Sequence, residues 1–196
     1  PNLVQTLEHT PALIHGGPFA NIAHGCNSLM ATKTAMQFGD YVVTEAGFAS
    51  DLGAEKFFNI KCRKAGLQPA MSVLVATLQA LKLSGGSTEA DMKQPDLGKL
   101  KEGLRNLQKH ISILKTFGQK VLVVINRHGV DDAKEIEFMR SWCGDNDAAF
   151  AVNDAFSLGG DGAVEMTQAV IDICENPSPH LQHTYELTDD IETKMN

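Results

Sequence analysis

Apolar and polar positions along the chain switch between short β-rich runs and longer stretches whose apolar residues recur every three to four positions. The short runs predict strands at Ala12 to His15, Tyr41 to Thr44, Ser72 to Thr77, Val121 to Asn126 and Ala149 to Val152. VLVVIN at 121–126 is unbroken, apolar and β-branched, as a strand covered on both faces reads, and is expected at the centre of a sheet. Helices are predicted at Asn21 to Gln37, Leu52 to Lys64, Leu97 to Lys115, Ala133 to Trp142 and Ala163 to Cys174. Leu100, Leu104, Leu107, Ile111 and Leu114 form one core-facing stripe, and Gly118 follows the end of that helix. Strand and helix in alternation predict an α/β fold, a mostly parallel sheet with helices on both faces. Gly85 to Pro95 reads as a mobile surface loop, and Asn176 to Pro179 as a break. The expected organisation is therefore an α/β portion over 1–176 and a polar C-terminal tail over 177–196 leading to a further domain.

In such a sheet the carboxyl ends of the strands share one edge, and ligands bind there. The residues just past the predicted strands are His15-Gly16-Gly17, Glu45-Ala46-Gly47-Phe48, the Thr77 region, Asn126-Arg127-His128 and Asn153-Asp154. They are rich in glycine and hydrogen-bonding groups. Glycine lets backbone N–H groups approach a ligand, and a following helix N-terminus adds partial positive charge. Gly159-Gly160-Asp161-Gly162, before the last predicted helix, has the same character. Any one of these glycines is satisfied by a tight turn; the set at one edge points to a site. Thr10 to Ser28 is the densest case, with a strand-like run ending in glycines before a helix.

Composition narrows the partners. At 196 residues, 43% hydrophobic, the chain can bury a real core. A net charge of -7 argues against a nucleic-acid groove or an anionic membrane surface. The four cysteines form no CxxC pair, which fits reduced thiols in a cytoplasmic protein better than a zinc ribbon or a disulfide framework. No apolar run approaches the ~20 residues of a membrane span. The chain starts at Pro1, so a piece of a longer polypeptide is expected. His15, His24 and Cys26 cluster in the sequence but lack an evident fourth ligand, and no metal site is assigned.

Neither a GxxxxGK[ST] phosphate loop nor a GxGxxG after a strand occurs, and GxSxG and HExxH are absent. What the chain does carry is family-specific: TPALIHGGPFANIAHGCNS at 10–28, VVTEAGFASDLGAEKFFNIKCRKAGL at 42–67, VATLQALKLSGG at 75–86 and GLRNLQKHI at 103–111. In order and spacing along nearly its whole length the chain resembles formate–tetrahydrofolate ligases. The resemblance implies a fold similar to the doubly wound phosphate-loop NTPases. It also implies ATP-dependent formylation of tetrahydrofolate by formate through formyl phosphate, with Mg²⁺, in an enzyme that is oligomeric when complete. The family's phosphate loop lies upstream of the equivalent of Pro1, so this chain is expected to be a central slice, inactive alone, that supplies part of a nucleotide and folate cleft.

Carried over by position, the resemblance makes Phe48, Asn126, His128 and Phe156 folate- or nucleotide-binding candidates, and the strand-end and glycine-turn reading adds Arg127, Gly159 and Gly160. His15, Gly16, Gly17, Glu45 and Gly47, read from the strand ends, are expected as cleft loops, with Glu45 ordering its loop or binding a cation. An aromatic in such a cleft offers a flat apolar wall to a purine or pterin ring. The chain departs from the family pattern at His128-Gly129, where Phe-Pro is usual, at Phe156, where tryptophan is usual, at Gln79 for an arginine and at Ser84 for a histidine. His and Phe can still sandwich a pterin, with pH dependence from the imidazole. No catalytic nucleophile is assigned. The alternative reading is a folate- or nucleotide-binding module without turnover.

Overall fold

The computed structural model describes residues 1–14 and 27–195. The chain divides into two compact units, Pro1–Gln68 with Leu181–Asn196, and Pro69–His180. His15, Gly16 and Gly17, together with His24, Cys26 and the predicted start of the first helix, lie outside the described residues.

The first unit opens with strands β1, Asn2–Gln5, and β2, Pro11–Ile14, joined by a turn in which His9 takes a positive φ of 64°. They pair antiparallel, Asn2 opposite Ile14 and Gln5 opposite Pro11. The predicted strand at 12–15 thus belongs to a hairpin and not to the parallel sheet. Helix α1, Leu29–Phe38, starts where the Ser28 hydroxyl accepts from the Ala31 N–H at 3.1 Å. The strand expected over Tyr41 to Thr44 does not form; Tyr41 and Val43 are exposed, and β-branched residues make a strand only beside a partner.

Residues predicted as a helix over 52–64 are helical but wound wide. Two π-helical stretches, Ala49–Ala54 and Phe57–Cys62, run into the short α2, Arg63–Ala65, which Gly66 ends in the left-handed conformation at φ 66°. Gly53 N–H reaches back to the Phe48 carbonyl at 2.7 Å, and Leu67 N–H to that of Cys62 at 3.0 Å. This segment buries Phe57, Phe58 and Cys62. The C-terminal residues lie against it. Asn59 donates to the Thr184 hydroxyl at 2.8 Å and accepts from the Thr184 N–H at 3.2 Å. Arg63 donates to the Tyr185 carbonyl and stacks on its ring, 5.0 Å from the centroid. Helix α8, Ile191–Met195, closes the described chain.

The second unit holds the parallel sheet, in the order β3, Ser72–Ala76, β4, Val121–Asn126, and β5, Ala149–Asn153. β4 is central, as its unbroken apolar run predicts, and parallel on both sides. Its alternate residues serve opposite faces. Leu122 and Val124 join Ala151 against Met166, Ala169, Val170 and Ile173 of α7, Val164–Glu175. Val121, Val123 and Ile125 point the other way, where α4, Leu97–Thr116, and α5, Ala133–Asp145, lie against the sheet. The stripe from Leu100 to Leu114 is buried. β3 pairs only with β4, so its outer edge is unpaired among the described residues.

The sequence reading ran β3 one residue long and missed the helix after it. Thr77 leaves the strand to cap α3, Leu78–Ser84, its hydroxyl accepting from the Ala80 N–H at 3.1 Å. α3 and α4 touch backbone to backbone: a Cβ on Gly103 would lie 1.8 Å from the Leu81 carbonyl oxygen, and one on Gly85 1.9 Å from that of Lys99. Gly85 to Pro95 runs over the surface as expected yet is tied down, with the Ser87 N–H on the Lys82 carbonyl and the Lys82 Nζ on the Gln94 carbonyl.

Candidate functional site

β4 and β5 end in register, Asn126 beside Asn153, and the asparagines clasp, Asn153 Nδ2 donating to Asn126 Oδ1 at 2.9 Å. The strands therefore deliver their following residues together. Arg127 N–H donates to the Asn153 carbonyl at 3.0 Å, and its guanidinium pairs with Asp154 at 2.9 Å. His128 follows, exposed, with its backbone N–H on the Asp131 carboxylate at 2.8 Å. Asp132 caps α5, accepting from the N–H groups of Lys134 and Glu135.

On the β5 side the chain turns through the short α6, Ala155–Leu158, and a 3₁₀ turn, Gly159–Ala163, into α7. Gly159 sits at φ 62°, ψ -145°, a region that side-chain-bearing residues avoid. Gly162 is required by closeness: a Cβ there would meet the Asp154 carbonyl carbon at 2.4 Å. Between the two loops lies a cleft of about 370 Å³, lined by Arg127, Ala133, Ile136, Val152, Asp154, Leu158, Asp161, Gly162 and Glu165. Phe156, two residues before Leu158 on α6, is fully exposed, so its ring is not core packing.

The structure thus brings Asn126, Arg127, His128, Phe156, Gly159 and Gly160 onto neighbouring loops at one sheet edge. Phe48, Glu45 and Gly47 belong to the other unit. There Gly47 takes a φ of 87°, Phe48 is exposed at the start of the first wide-turn stretch, and the Thr44 hydroxyl donates to the Glu45 carbonyl at 3.3 Å. Among the described residues a sheet edge fed by all the predicted strands is not what forms; β3, β4 and β5 make the parallel sheet. Among the described residues no helix is long and apolar enough to cross a membrane.

A profile of formate–tetrahydrofolate ligases matches residues 1–196. The chain belongs to the formate–tetrahydrofolate ligase family. It is 58% identical over 196 residues to the formate–tetrahydrofolate ligase of Bacteroides thetaiotaomicron and 56% identical to that of Parabacteroides distasonis. With the Campylobacter concisus ligase the identity is 51%. Every residue of the chain is covered in these matches, but the chain spans only 35 to 36% of the length of these relatives.

Within this ligase-family segment the sequence reading missed part of the cleft wall. Ile136 and Glu165 come from the first turns of α5 and α7, and Leu158 from the end of α6. The available signal was positional, since each sits where a loop from the sheet edge becomes or leaves a helix. Asp161 lay inside the glycine turn already singled out.

Proposed function

We propose that the chain supplies part of the substrate cleft of an enzyme that formylates tetrahydrofolate with formate and ATP through formyl phosphate, giving 10-formyltetrahydrofolate, ADP and phosphate. What supports the reading is the edge shared by β4 and β5, where Arg127, Asp154, Asp161 and Gly162 line one cleft, with His128 and Phe156 on the same two loops, in a chain of the ligase family.

The lining favours the folate ring over phosphate here. Asp161 lies just before α7, where its carboxylate answers the helix's partial positive charge and repels an anion, while Glu165 in the first turn is paired with Arg140 at 2.9 Å. Arg127 is already paired with Asp154. Ile136, Val152 and Leu158 give an apolar wall, the Asp161 carboxylate accepts from ring N–H groups, and the exposed Phe156 ring offers a face to stack on. In this reading the chain binds and orients; the phosphoryl chemistry, which needs charge neutralisation above all, requires a phosphate loop that this stretch lacks. Among the described residues no group of three or more His, Cys, Asp or Glu could hold a metal ion. The complete enzyme is read as a cytoplasmic homo-oligomer, a part of the proposal that rests on the family resemblance.

Calorimetric titration of the chain with tetrahydrofolate tests the reading. Phe156→Ala should weaken binding about fivefold, from roughly 1 kcal/mol of stacking, while leaving the melting temperature unchanged. Equal affinity in the variant would remove the stacking assignment. Mixed with ATP, formate and tetrahydrofolate, the chain alone should make no 10-formyltetrahydrofolate; robust synthesis would overturn its reading as part of a cleft.

A further inference from the structure

Lys82 on α3 and Glu135 on α5 are buried charges, each 1% exposed, that take no direct part in the cleft. The Lys82 Nζ lies 3.0 Å from Glu135 Oε2 and also donates to the Gln94 carbonyl at 2.8 Å. Glu135 Oε1 accepts from the Asp96 N–H at 2.7 Å, at the residue that caps α4. One ion pair therefore joins α3, the connection into α4, and α5. Its lysine end has little freedom, because Lys82 sits between Leu81 and Gly85, where α3 presses on α4.

Stability is a weak explanation for the pair, since burying two charges costs several kcal/mol per ion and apolar replacements are often neutral or stabilising. What an ammonium with two acceptors and a carboxylate with two donors do specify is one arrangement of three elements. From Glu135 that arrangement leads to the cleft. The Asp132 carboxylate binds the N–H groups of Lys134 and Glu135, the Asp131 carboxylate binds the N–H of His128, and Arg127 N–H holds Asn153. Ala133 and Ile136, on either side of Glu135 in the first turn of α5, line the cleft itself.

We infer that Lys82 and Glu135 are a positioning pair for the candidate site. Together they lock the first turn of α5, and with it the 127–132 loop, from which Arg127 lines the cleft. Neither residue touches substrate. The ligand part of the inference rests on the folate reading of the cleft; the locking of the loop does not.

The test replaces the pair by apolar side chains, Lys82→Met with Glu135→Leu, and follows three signals in the full chain: thermal unfolding, amide hydrogen exchange and affinity for tetrahydrofolate. The double variant should melt within a few degrees of the parent and keep the exchange protection of α4 and β4. The His128 and Glu135 amides should exchange about tenfold faster, and the folate Kd should rise about tenfold, because a displaced binding group loses affinity steeply. Local exchange and affinity both equal to the parent's would overturn the inference. Should the double variant not fold, Glu135→Asp decides on the same signals, keeping both charges while drawing the carboxylate one methylene back from Lys82 and the Asp96 N–H. A parent chain that binds no tetrahydrofolate would remove the folate reading, and loop exchange alone would then decide the positioning role.

Discussion

Leu122 on β4 and Leu7 in the turn between β1 and β2 are the same side chain in opposite settings, one 0% and the other 100% exposed. The contrast extends to their units. In Pro69–His180 the apolar residues of β4 are enclosed between α7 on one face and α4 and α5 on the other. In Pro1–Gln68 with Leu181–Asn196 the hairpin leaves Leu3 and Ile14 in water, and the apolar burial gathers on the wide-turn helical stretch, fastened by polar contacts from Asn59 and Arg63. Periodic burial organises the first case. Particular hydrogen bonds organise the second.

The chain supplies its own reporters for testing that difference: its one tryptophan, Trp142, lies in the sheet-bearing unit, and both tyrosines, Tyr41 and Tyr185, lie in the other. The largest effect is expected from Leu122→Ala, which empties a fully enclosed position and should cost about 3 kcal/mol in the tryptophan-detected transition. An equal loss in the tyrosine signal would mean that the two units do not unfold separately. Next comes alkaline pH. Burial pushes the Cys143 thiol up from 9.0 to about 12, so the folded chain keeps a proton that the unfolded chain gives up. Stability of that unit should therefore fall as pH rises from 9.0 to about 12, by up to roughly 1.4 kcal/mol per pH unit. Cys143→Ala should flatten the slope in denaturant titrations across that window; an unchanged slope would assign it to other groups. Asn59→Ala, which breaks both bonds to Thr184, should lower the tyrosine-detected transition by about 1 kcal/mol and leave the tryptophan one in place. Smallest of all, Leu7→Ser should change either transition by no more than about 0.5 kcal/mol. A larger loss there would show that the hairpin's exposed side chains are covered in solution.

What could be read in the sequence follows the same division. VLVVIN and the Leu100 to Leu114 stripe were legible because burial imposes a period on residue choice, and both elements form as predicted. The hairpin strand Asn2–Gln5 carries no such period, being exposed along its length. Wide helical turns are equally silent, since a bond to the fifth residue back leaves composition unchanged. VAT at 75–77 read as strand to its end, yet Thr77 serves α3 as a cap, a choice its hydroxyl makes locally. At the cleft, Arg127, Asp154 and the glycine turn were legible because strand ends announce themselves. Ile136 and Glu165 were not, because their contribution depends on how two helices are phased. Lys82 and Glu135, 53 positions apart, meet only through the fold.

β3 carries a consequence for handling the protein. Val73 and Val75 are 42% and 54% exposed, beside backbone N–H and C=O groups that no described strand engages. Such a rim is a template on which another copy can lay down a strand, and extended chains with few charges nucleate aggregates in that way. Concentrated samples are therefore expected to associate through residues 72–76, turbidity growing with protein concentration, and a lysine in place of Val75 should act as a gatekeeper that delays it.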